Sequence, residues 1–293
     1  MVVDKAPGWT SHDVVARCRR LFGLKRVGHA GTLDPDATGV LLVGLGRVTR
    51  LLRFLTELPK SYTAEIVLGV STSTLDASGE VTGRWDMDDV TTERLREAAG
   101  RLVGRIEQVP PMVSALKMGG KRLHSLARAG VEVDRPARTV VVHRFDVAPT
   151  ATPGVVAAEV ECSSGTYVRS LAADLGAALG GGAHLRRLRR TAVGSFTVAE
   201  ARPVDELSPA AVLSPAEAVR DYPAVTVGAH LVQAVSHGRV VGEDVLGVTG
   251  PGPWAVVDPD GRLLAMYERH GDGPVKPAVV LPAGGSGSED RPR

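Results

Sequence analysis

Apolar positions recur along the chain at two spacings. Val14, Val15, Cys18, Leu21 and Phe22 fall at helical intervals, and Thr10 and Asp13 stand ahead of them at capping-box spacing, so residues 10–22 read as an amphipathic helix. Residues 91–103 repeat the pattern through Leu95, Ala98, Ala99 and Leu102, and residues 170–180 through Leu171, Leu175, Ala178 and Leu179. Ser214-Pro215-Ala216-Glu217 joins a capping box to a Pro at the first helical position and predicts a further helix start. Elsewhere the period drops to two. Tyr62, Ala64, Ile66 and Leu68 alternate with Thr63, Glu65 and Val67, the pattern of a half-buried strand. Residues 139–147 and 155–162 also read as strands, the second with Val156, Ala158, Val160 and Cys162 on one face. Helices and strands do not alternate in βαβ order, so the expected class is a mixed α+β core.

The texture changes after Asp221-Tyr222-Pro223. Residues 225–281 hold short apolar runs cut by Gly and Pro: Val245–Val248, Trp254–Val257, Leu263–Tyr267 and Ala278–Leu281. This predicts a small β-rich module over 223–282 behind a main domain over 1–222, a division that 293 residues accommodate. Residues 283–293 have the composition of a disordered tail.

Composition narrows the class. Apolar residues make up 43% of the chain, enough for a sizeable core. No apolar run approaches the roughly 18 residues of a membrane span, and residues 1–5 lack the long apolar stretch of a signal peptide. Two cysteines, Cys18 and Cys162, lie far apart and make neither a zinc motif nor a disulfide framework, so a reducing cytoplasm is expected. The net charge of +2 hides segregation. Residues 1–60 carry a net +5 and residues 101–140 another +5, while residues 61–100 carry −5 and residues 223–293 carry −2. Two basic segments around an acidic one suit a localised surface for an anionic ligand, with RNA or DNA as the foremost candidate. Of the 35 basic residues 29 are Arg, the residue suited to bidentate phosphate contacts.

Gly28-His29-Ala30-Gly31-Thr32-Leu33-Asp34-Pro35-Asp36-Ala37-Thr38-Gly39 reads as a loop by composition. A carboxylate held before Pro in such a loop is positioned by restricted backbone and can be brought against a substrate. The same residues also fit a simple Asx turn. Gly44-Leu45-Gly46 lacks the context of a dinucleotide fingerprint, and no P-loop or metal-ligand spacing occurs, so neither cofactor nor metal is expected.

Five segments, in order, resemble the bacterial tRNA pseudouridine synthase B family. They are Val3-Asp4-Lys5 through Thr10-Ser11, the Gly28–Gly39 segment, Lys60-Ser61-Tyr62, Pro110-Pro111-Met112-Val113-Ser114-Ala115-Leu116-Lys117, and Ser164-Gly165-Thr166-Tyr167-Val168-Arg169 with Gly182–Leu185 and Leu188-Arg189-Arg190. The resemblance covers residues 1–222 and is weaker over 223–282, which look like the family's PUA-type RNA-binding module. It implies a largely antiparallel pseudouridine synthase core with flanking helices, acting on the T-loop uridine of tRNA at position 55. In that reaction the C1′–N1 bond breaks, the uracil turns, and C1′ joins C5.

Site residues follow from the resemblance. Asp34 matches the catalytic aspartate, acting either as nucleophile at C1′ or as base on the sugar. Arg169 matches its ion-pair partner, Tyr62 the aromatic under the flipped base, Tyr167 the second tyrosine, Leu188 an apolar wall, and His29 a histidine near the extruded nucleotide. Lys5 supports the site. Lys117, Lys121 and Arg122 resemble part of an insertion over about 117–135 that grips the T-arm, and Arg186, Arg187, Arg189 and Arg190 add guanidinium groups for phosphate. A buried uridine must be flipped out to be reached, and an aromatic face is then needed to receive it.

Two departures stand out. The family's Lys-Pro-x-Gly is here Lys5-Ala6-Pro7-Gly8, and Ser73 stands where an acidic residue is common, which removes a possible supporting carboxylate. The chain also begins abruptly on its first matched segment, so a few native residues are expected upstream. The expected partner is the tRNA T-arm stem-loop, bound by a monomer with no membrane attachment. Two alternatives are a tRNA-binding folding factor with dispensable chemistry and a guide-RNA-dependent pseudouridine synthase. The intact Asp34–Tyr62–Tyr167–Arg169 set speaks against the first.

Overall fold

The computed structural model describes residues 1–114, the backbone of 117–118 and 121–122, and residues 133–271 and 273–281. The expected disordered tail, and most of the expected insertion, lie outside the described residues.

A ten-stranded mixed sheet forms the body. Its main path runs β14 (Arg202–Pro203), β1 (Val2–Lys5), β3 (Thr38–Leu45), β12 (Ala183–Val193), β4 (Lys60–Leu68), β11 (Val155–Cys162), β10 (Arg138–Pro149) and β7 (Gly104–Gln108). The strand β2 (Val27–Ala30) pairs with β3, and β13 (Phe196–Thr197) with β12. Only β1–β14 and β12–β3 are parallel; the other pairs are antiparallel.

Local sequence explains the helices. In α1 (Ser11–Phe22) Thr10 accepts from the Asp13 amide at 3.1 Å, and the Asp13 carboxylate accepts from the Thr10 amide at 2.8 Å, the reciprocal bonds its spacing predicts. Val14, Val15 and Cys18 then bury against β1, β2 and β3. The short helix α2 (Leu52–Glu57) precedes β4. The helices α3 (Thr92–Gly100) and α4 (Val168–Ala178) cover one face of the sheet, packing Leu95, Leu171 and Leu175 onto Ile66, Val142 and Val160. Burial along β4 alternates as its sequence predicts, with Tyr62, Ala64 and Ile66 inward and Thr63 exposed.

Four expectations change in this body. Leu21, placed by its spacing on the apolar face of α1, is 43% exposed. Ala178 is exposed, and Ala172 and Gly176 take the inward positions beside Leu175. The Ser214–Glu217 capping bonds form, but they open only a 3-10 turn over Glu217–Val219. Gly28, His29 and Ala30 belong to β2 rather than to a loop, because their backbones pair with Gly44, Val43 and Leu42 of β3.

The C-terminal residues form a separate four-stranded sheet in the order β15 (Ala224–Thr226), β16 (Trp254–Val257), β17 (Leu263–Arg269) and β18 (Val275–Val280). The run Val245–Val248, one of the apolar runs expected to build the β-rich module, instead starts inside the one-turn helix α6 (Glu243–Leu246), and α5 (Ala229–Ser236), which was not anticipated, turns Leu231, Val232 and Val235 onto the module's core. This sheet packs on the larger body through Ala255, Leu263 and Met266 against Leu51, Phe54 and Val219. No helix among the described residues is long and apolar enough to cross a membrane.

Candidate active site

The segment between β2 and β3 is tied down by side chains that the fold brings under it. Lys5, fully buried, donates to the carbonyls of Ala6 at 3.0 Å, Trp9 at 2.6 Å and Pro35 at 2.8 Å. Ser11 accepts from the Leu33 amide at 2.9 Å and donates to the Leu33 carbonyl at 3.2 Å. Arg190, only 1% exposed, donates to Val40 O at 2.7 Å and Gly31 O at 3.1 Å. The chain enters β3 at Gly39, φ +101°, where a Cβ would lie 2.1 Å from the Arg190 carbonyl oxygen. Asp34 is thereby held from both sides. The Lys5 ammonium is drawn down to a pKa of about 8, chiefly by burial and against the pull of Asp36 and Asp34.

Arg169 sits in the first turn of α4 with its side chain 4% exposed. Five oxygens surround the guanidinium. Asp34 takes two of its nitrogens, Oδ2 at 3.0 Å and Oδ1 at 3.2 Å. Val113 O lies at 2.7 Å, Thr74 O at 3.1 Å, and Asp76 Oδ2 at 3.3 Å. A planar fork with five N–H donors is what such a cage requires, and an ammonium could not fill it. Asp34 is the open side of the pair, with 42% of its side chain exposed. Burial raises its pKa above the ordinary carboxylate value, Arg169 pulls it back, and Asp76 pushes it up again.

Asp76 was not anticipated as a site residue. Its Oδ1 accepts from Thr74 Oγ1 at 2.6 Å, Ser78 Oγ at 2.6 Å and the Ser78 amide at 3.1 Å. Leu75, before it, has φ +63°, a left-handed conformation rare for a branched side chain, and this turns Asp76 toward Arg169. The signal in the sequence was the Asp76-x-Ser78 spacing of an Asx turn.

These residues meet in one cleft of about 350 Å³, within the range of small-ligand sites. Asp34, Tyr62, Tyr167, Arg169, Leu188 and Arg190 all line it, together with Lys60. Burial raises the pKa of the Tyr62 phenol, with the Arg190 charge opposing the rise, so the phenol stays un-ionised. Lys60, in the Lys60-Ser61-Tyr62 segment, donates to the carbonyls of Thr56 and, at 2.6 Å, Leu58 at the end of α2. Burial and the Arg190 charge lower its pKa to about 8.

Other predicted residues lie elsewhere. His29 is in β2, stacked edge-on against His12 with ring centroids 5.4 Å apart, and it does not line the cleft. Of the run expected to face phosphate, Arg190 points inward. Arg189 makes a two-pronged pair with Asp4 at 2.7 and 3.0 Å. Arg186 and Arg187 are exposed and share Glu65 at 3.7 and 3.4 Å, on the opposite face of the sheet from Tyr62. The run forms a strand, so from Arg187 to Arg190 successive residues go to opposite faces, while a bulge between Leu185 and Arg187 lets Arg186 reach Glu65 as well. Lys117 pairs with Arg122 and Met118 with Lys121 in a short backbone ladder, β8 (Lys117–Met118) with β9 (Lys121–Arg122). The phosphate-binding role expected of Lys117, Lys121 and Arg122 lies outside what is described. Among the described residues no three His, Cys, Asp or Glu side chains gather as metal donors.

Comparison with known proteins agrees with this geometry. Family models match in three consecutive stretches: the TruB family pseudouridylate synthase N-terminal domain over residues 19–168, the tRNA pseudouridylate synthase B C-terminal domain over 169–222, and the tRNA pseudouridine synthase II C-terminal model over 222–282. The chain is 47% identical over 290 residues to tRNA pseudouridine synthase B of Rhodococcus jostii (strain RHA1), covering 97% of this chain and 94% of that one. It is 48% identical over 290 residues to tRNA pseudouridine synthase B of Thermobifida fusca (strain YX), covering 96% and 97%. Among solved structures it is similar to a chain of a Cbf5-Nop10-Gar1 complex, with TM-score 0.75, 27% identity, and 96% and 84% covered. A chain of an H/ACA RNP bound to a substrate RNA containing 2′-deoxyuridine gives TM-score 0.69 at 26% identity, with 92% and 77% covered. With three family models end to end over a cleft built around Asp34 and Arg169, the chain belongs to the TruB family of pseudouridylate synthases.

Proposed function

We propose that this protein is a stand-alone tRNA pseudouridine synthase that isomerises the T-loop uridine of tRNA at position 55. The observation that carries the reading is the Asp34 carboxylate, partly open to solvent, paired through both oxygens to a buried Arg169 at a cleft that Tyr62 and Leu188 also line. A flipped uracil resting on the Tyr62 ring would bring its C1′ toward Asp34. Arg169 favours the ionised carboxylate, the form needed both for attack on C1′ and for proton abstraction from the sugar. The hydrogen bonds from Lys5, Ser11 and Arg190 pre-position the Asp34 loop, so little reorganisation accompanies substrate entry.

In this reading residues 1–222 do the chemistry, residues 223–282 add RNA contacts, and the protein works as a cytoplasmic monomer on the T-arm. Arg186 and Arg187, being exposed, are better placed for phosphate than Arg189 or Arg190. The likeness to H/ACA RNP chains favours a second reading, guide-RNA dependence, against which the high identity to bacterial tRNA pseudouridine synthase B weighs.

Incubating the pure protein with unmodified tRNA and no guide RNA, then mapping pseudouridine, separates the two. Product at position 55 is expected, and none with Asp34→Asn. Product that appears only with a guide RNA would establish the second reading. Turnover by Asp34→Asn within about tenfold of wild type, a barrier change of about 1.4 kcal/mol, would remove Asp34 from the chemistry.

A further inference from the structure

The strand β7 ends at Gln108, 2% exposed, at the edge of the sheet. Its side-chain amide faces the peptide of Tyr167, 59 residues away along the chain. The Tyr167 amide donates to Gln108 Oε1 at 2.7 Å, and Gln108 Nε2 donates to the Tyr167 carbonyl at 3.2 Å. Tyr167 is the N-cap of α4, and no side chain of its own caps that helix. The amide of Gln108 supplies from a distance the donor and acceptor that a β-partner would offer.

The contact is one of a series. Beyond Gln108 the chain runs along the same helix end, where Ser170 Oγ donates to Val109 O at 3.0 Å and Arg169 donates to Val113 O at 2.7 Å. One strap, residues 108–113, therefore fixes the peptide of Tyr167, the guanidinium of Arg169 and the hydroxyl of Ser170. All belong to the turn that presents Arg169 to Asp34.

Resting on the function proposed above, we infer that Gln108 is a positioning residue for the reaction: through its paired hydrogen bonds to the Tyr167 peptide it sets the first turn of α4, and with it Tyr167 and Arg169. A buried amide is chemically suited to this because it presents a donor and an acceptor side by side without carrying a charge. Without it a buried N–H would lose its partner. Gln108 itself touches no reacting atom, so its effect should appear in the rate of the bound complex rather than in tRNA affinity.

Two substitutions test this at saturating full-length tRNA in single turnover. Gln108→Leu keeps the volume and loses both bonds. Gln108→Glu keeps the acceptor, but as a carboxylate it turns an oxygen toward the Tyr167 carbonyl. Both should be slowed about ten- to a hundredfold, with tRNA Kd within about threefold of wild type. Gln108→Glu carries a further signature, because a protonated carboxyl again offers one donor and one acceptor. Burial raises the pKa of such a group, while Arg138 opposite on β10 and Arg169 on α4 oppose the rise; Asp34 and Asp76 beyond Arg169, and Glu107 beside it on β7, reinforce it. The rate of Gln108→Glu relative to wild type should therefore climb several-fold from pH 8 to pH 6, while the ratio for Gln108→Leu stays flat.

Wild-type rates in both variants, a parallel loss of rate and tRNA affinity, or a flat ratio for Gln108→Glu would overturn the inference. If neither variant shows a cooperative thermal transition, Ser170→Ala decides. It removes one bond to the strap and should slow the step about threefold with unchanged Kd, and an unchanged rate would overturn the inference. Inactive wild-type protein would strike the proposed function, and the inference with it. Active wild type beside unaffected variants would strike the inference alone.

Discussion

Removing residues 223–293 tests how the two sheets divide the work. The motifs end before residue 191 and the C-terminal segment carries a net −2, which on sequence alone predicts a detachable module whose loss weakens tRNA binding and spares the chemistry. The packing predicts more. Leu51, Phe54 and Val219 are 0%, 5% and 1% exposed, and all three are covered by Ala255, Leu263 and Met266. Exposing one such side chain fully costs about 1.5–3 kcal/mol. With partial exposure and collapse, the three together should cost about 3 kcal/mol. The exposed Arg53–Glu268 pair adds little. In a body of this size that loss lowers Tm by roughly 6–12 °C. The effect should also reach the site, because Phe54 is in α2, whose end supplies the Thr56 and Leu58 carbonyls that hold Lys60. Thr56 itself lines the cleft. The assay is a thermal melt of residues 1–222 beside single-turnover pseudouridylation at saturating tRNA. A truncated protein with Tm within about 2 °C of the full chain and an unchanged saturated rate would refute the reasoning.

Three further outcomes follow from the site. Asp76→Asn should slow the single-turnover step about ten- to a hundredfold, because Arg169 loses its second carboxylate, and should move the acid limb of the rate to lower pH, because Asp76 raises the Asp34 pKa; an unmoved limb would exclude the coupling. In wild type the saturated rate should rise with pH through one carboxylate ionisation lying above the usual range, as burial of Asp34 dictates, and a limb at or below that range would contradict the geometry. His29 is depressed to a pKa of about 4 by burial, then by the charges of His12 and Arg190. Between about pH 6.5 and 4 the unfolded chain binds the extra proton, so stability should fall on acidification by up to about 1.4 kcal/mol per pH unit, and His29→Asn should flatten that slope in urea melts.

Much of this was legible in the sequence because the information is local. Capping boxes, the period of two through Tyr62, Ala64 and Ile66, and the inward face of α3 depend on neighbours within a few residues, and the fold kept them. Asp34, Tyr62, Tyr167, Leu188 and Arg169 were recognisable from family motifs, and they line one cleft. Local patterns did not reveal which side chains serve the site indirectly. Asp76 and Gln108 act across 93 and 59 residues of chain, and neither stands in a pattern that marks its partner. The arginine run shows the same limit. Four guanidinium groups in five residues look equivalent in a sequence, yet a strand sends Arg190 into the core, Arg189 to Asp4, and Arg187 outward.

The charge arrangement around Arg169 explains why two carboxylates are present where one would bind. A buried guanidinium that loses its only counter-ion costs about 3–5 kcal/mol. If Asp34 were the sole partner, each departure of its carboxylate toward a substrate would carry that cost. The cage distributes the load. Val113 and Thr74 supply neutral acceptors and Asp76 a second negative charge, while Asp76 is fixed by Thr74 and Ser78 and does not face the cleft. In the proposed reaction Arg169 would therefore keep its place and most of its compensation while Asp34 engaged C1′ or a proton of the sugar. Asp34 in turn is aimed by its loop, through Lys5, Ser11 and Arg190, rather than by the ion pair alone. The pair is asymmetric for that reason: a buried, saturated cation and a partly exposed anion whose remaining valence faces the cleft. That asymmetry distinguishes this carboxylate from Asp4 and Glu65, two others that pair with arginine. Each of these is paired to arginine on the outer face of the sheet, and neither pairs with a cation in a cage of its own.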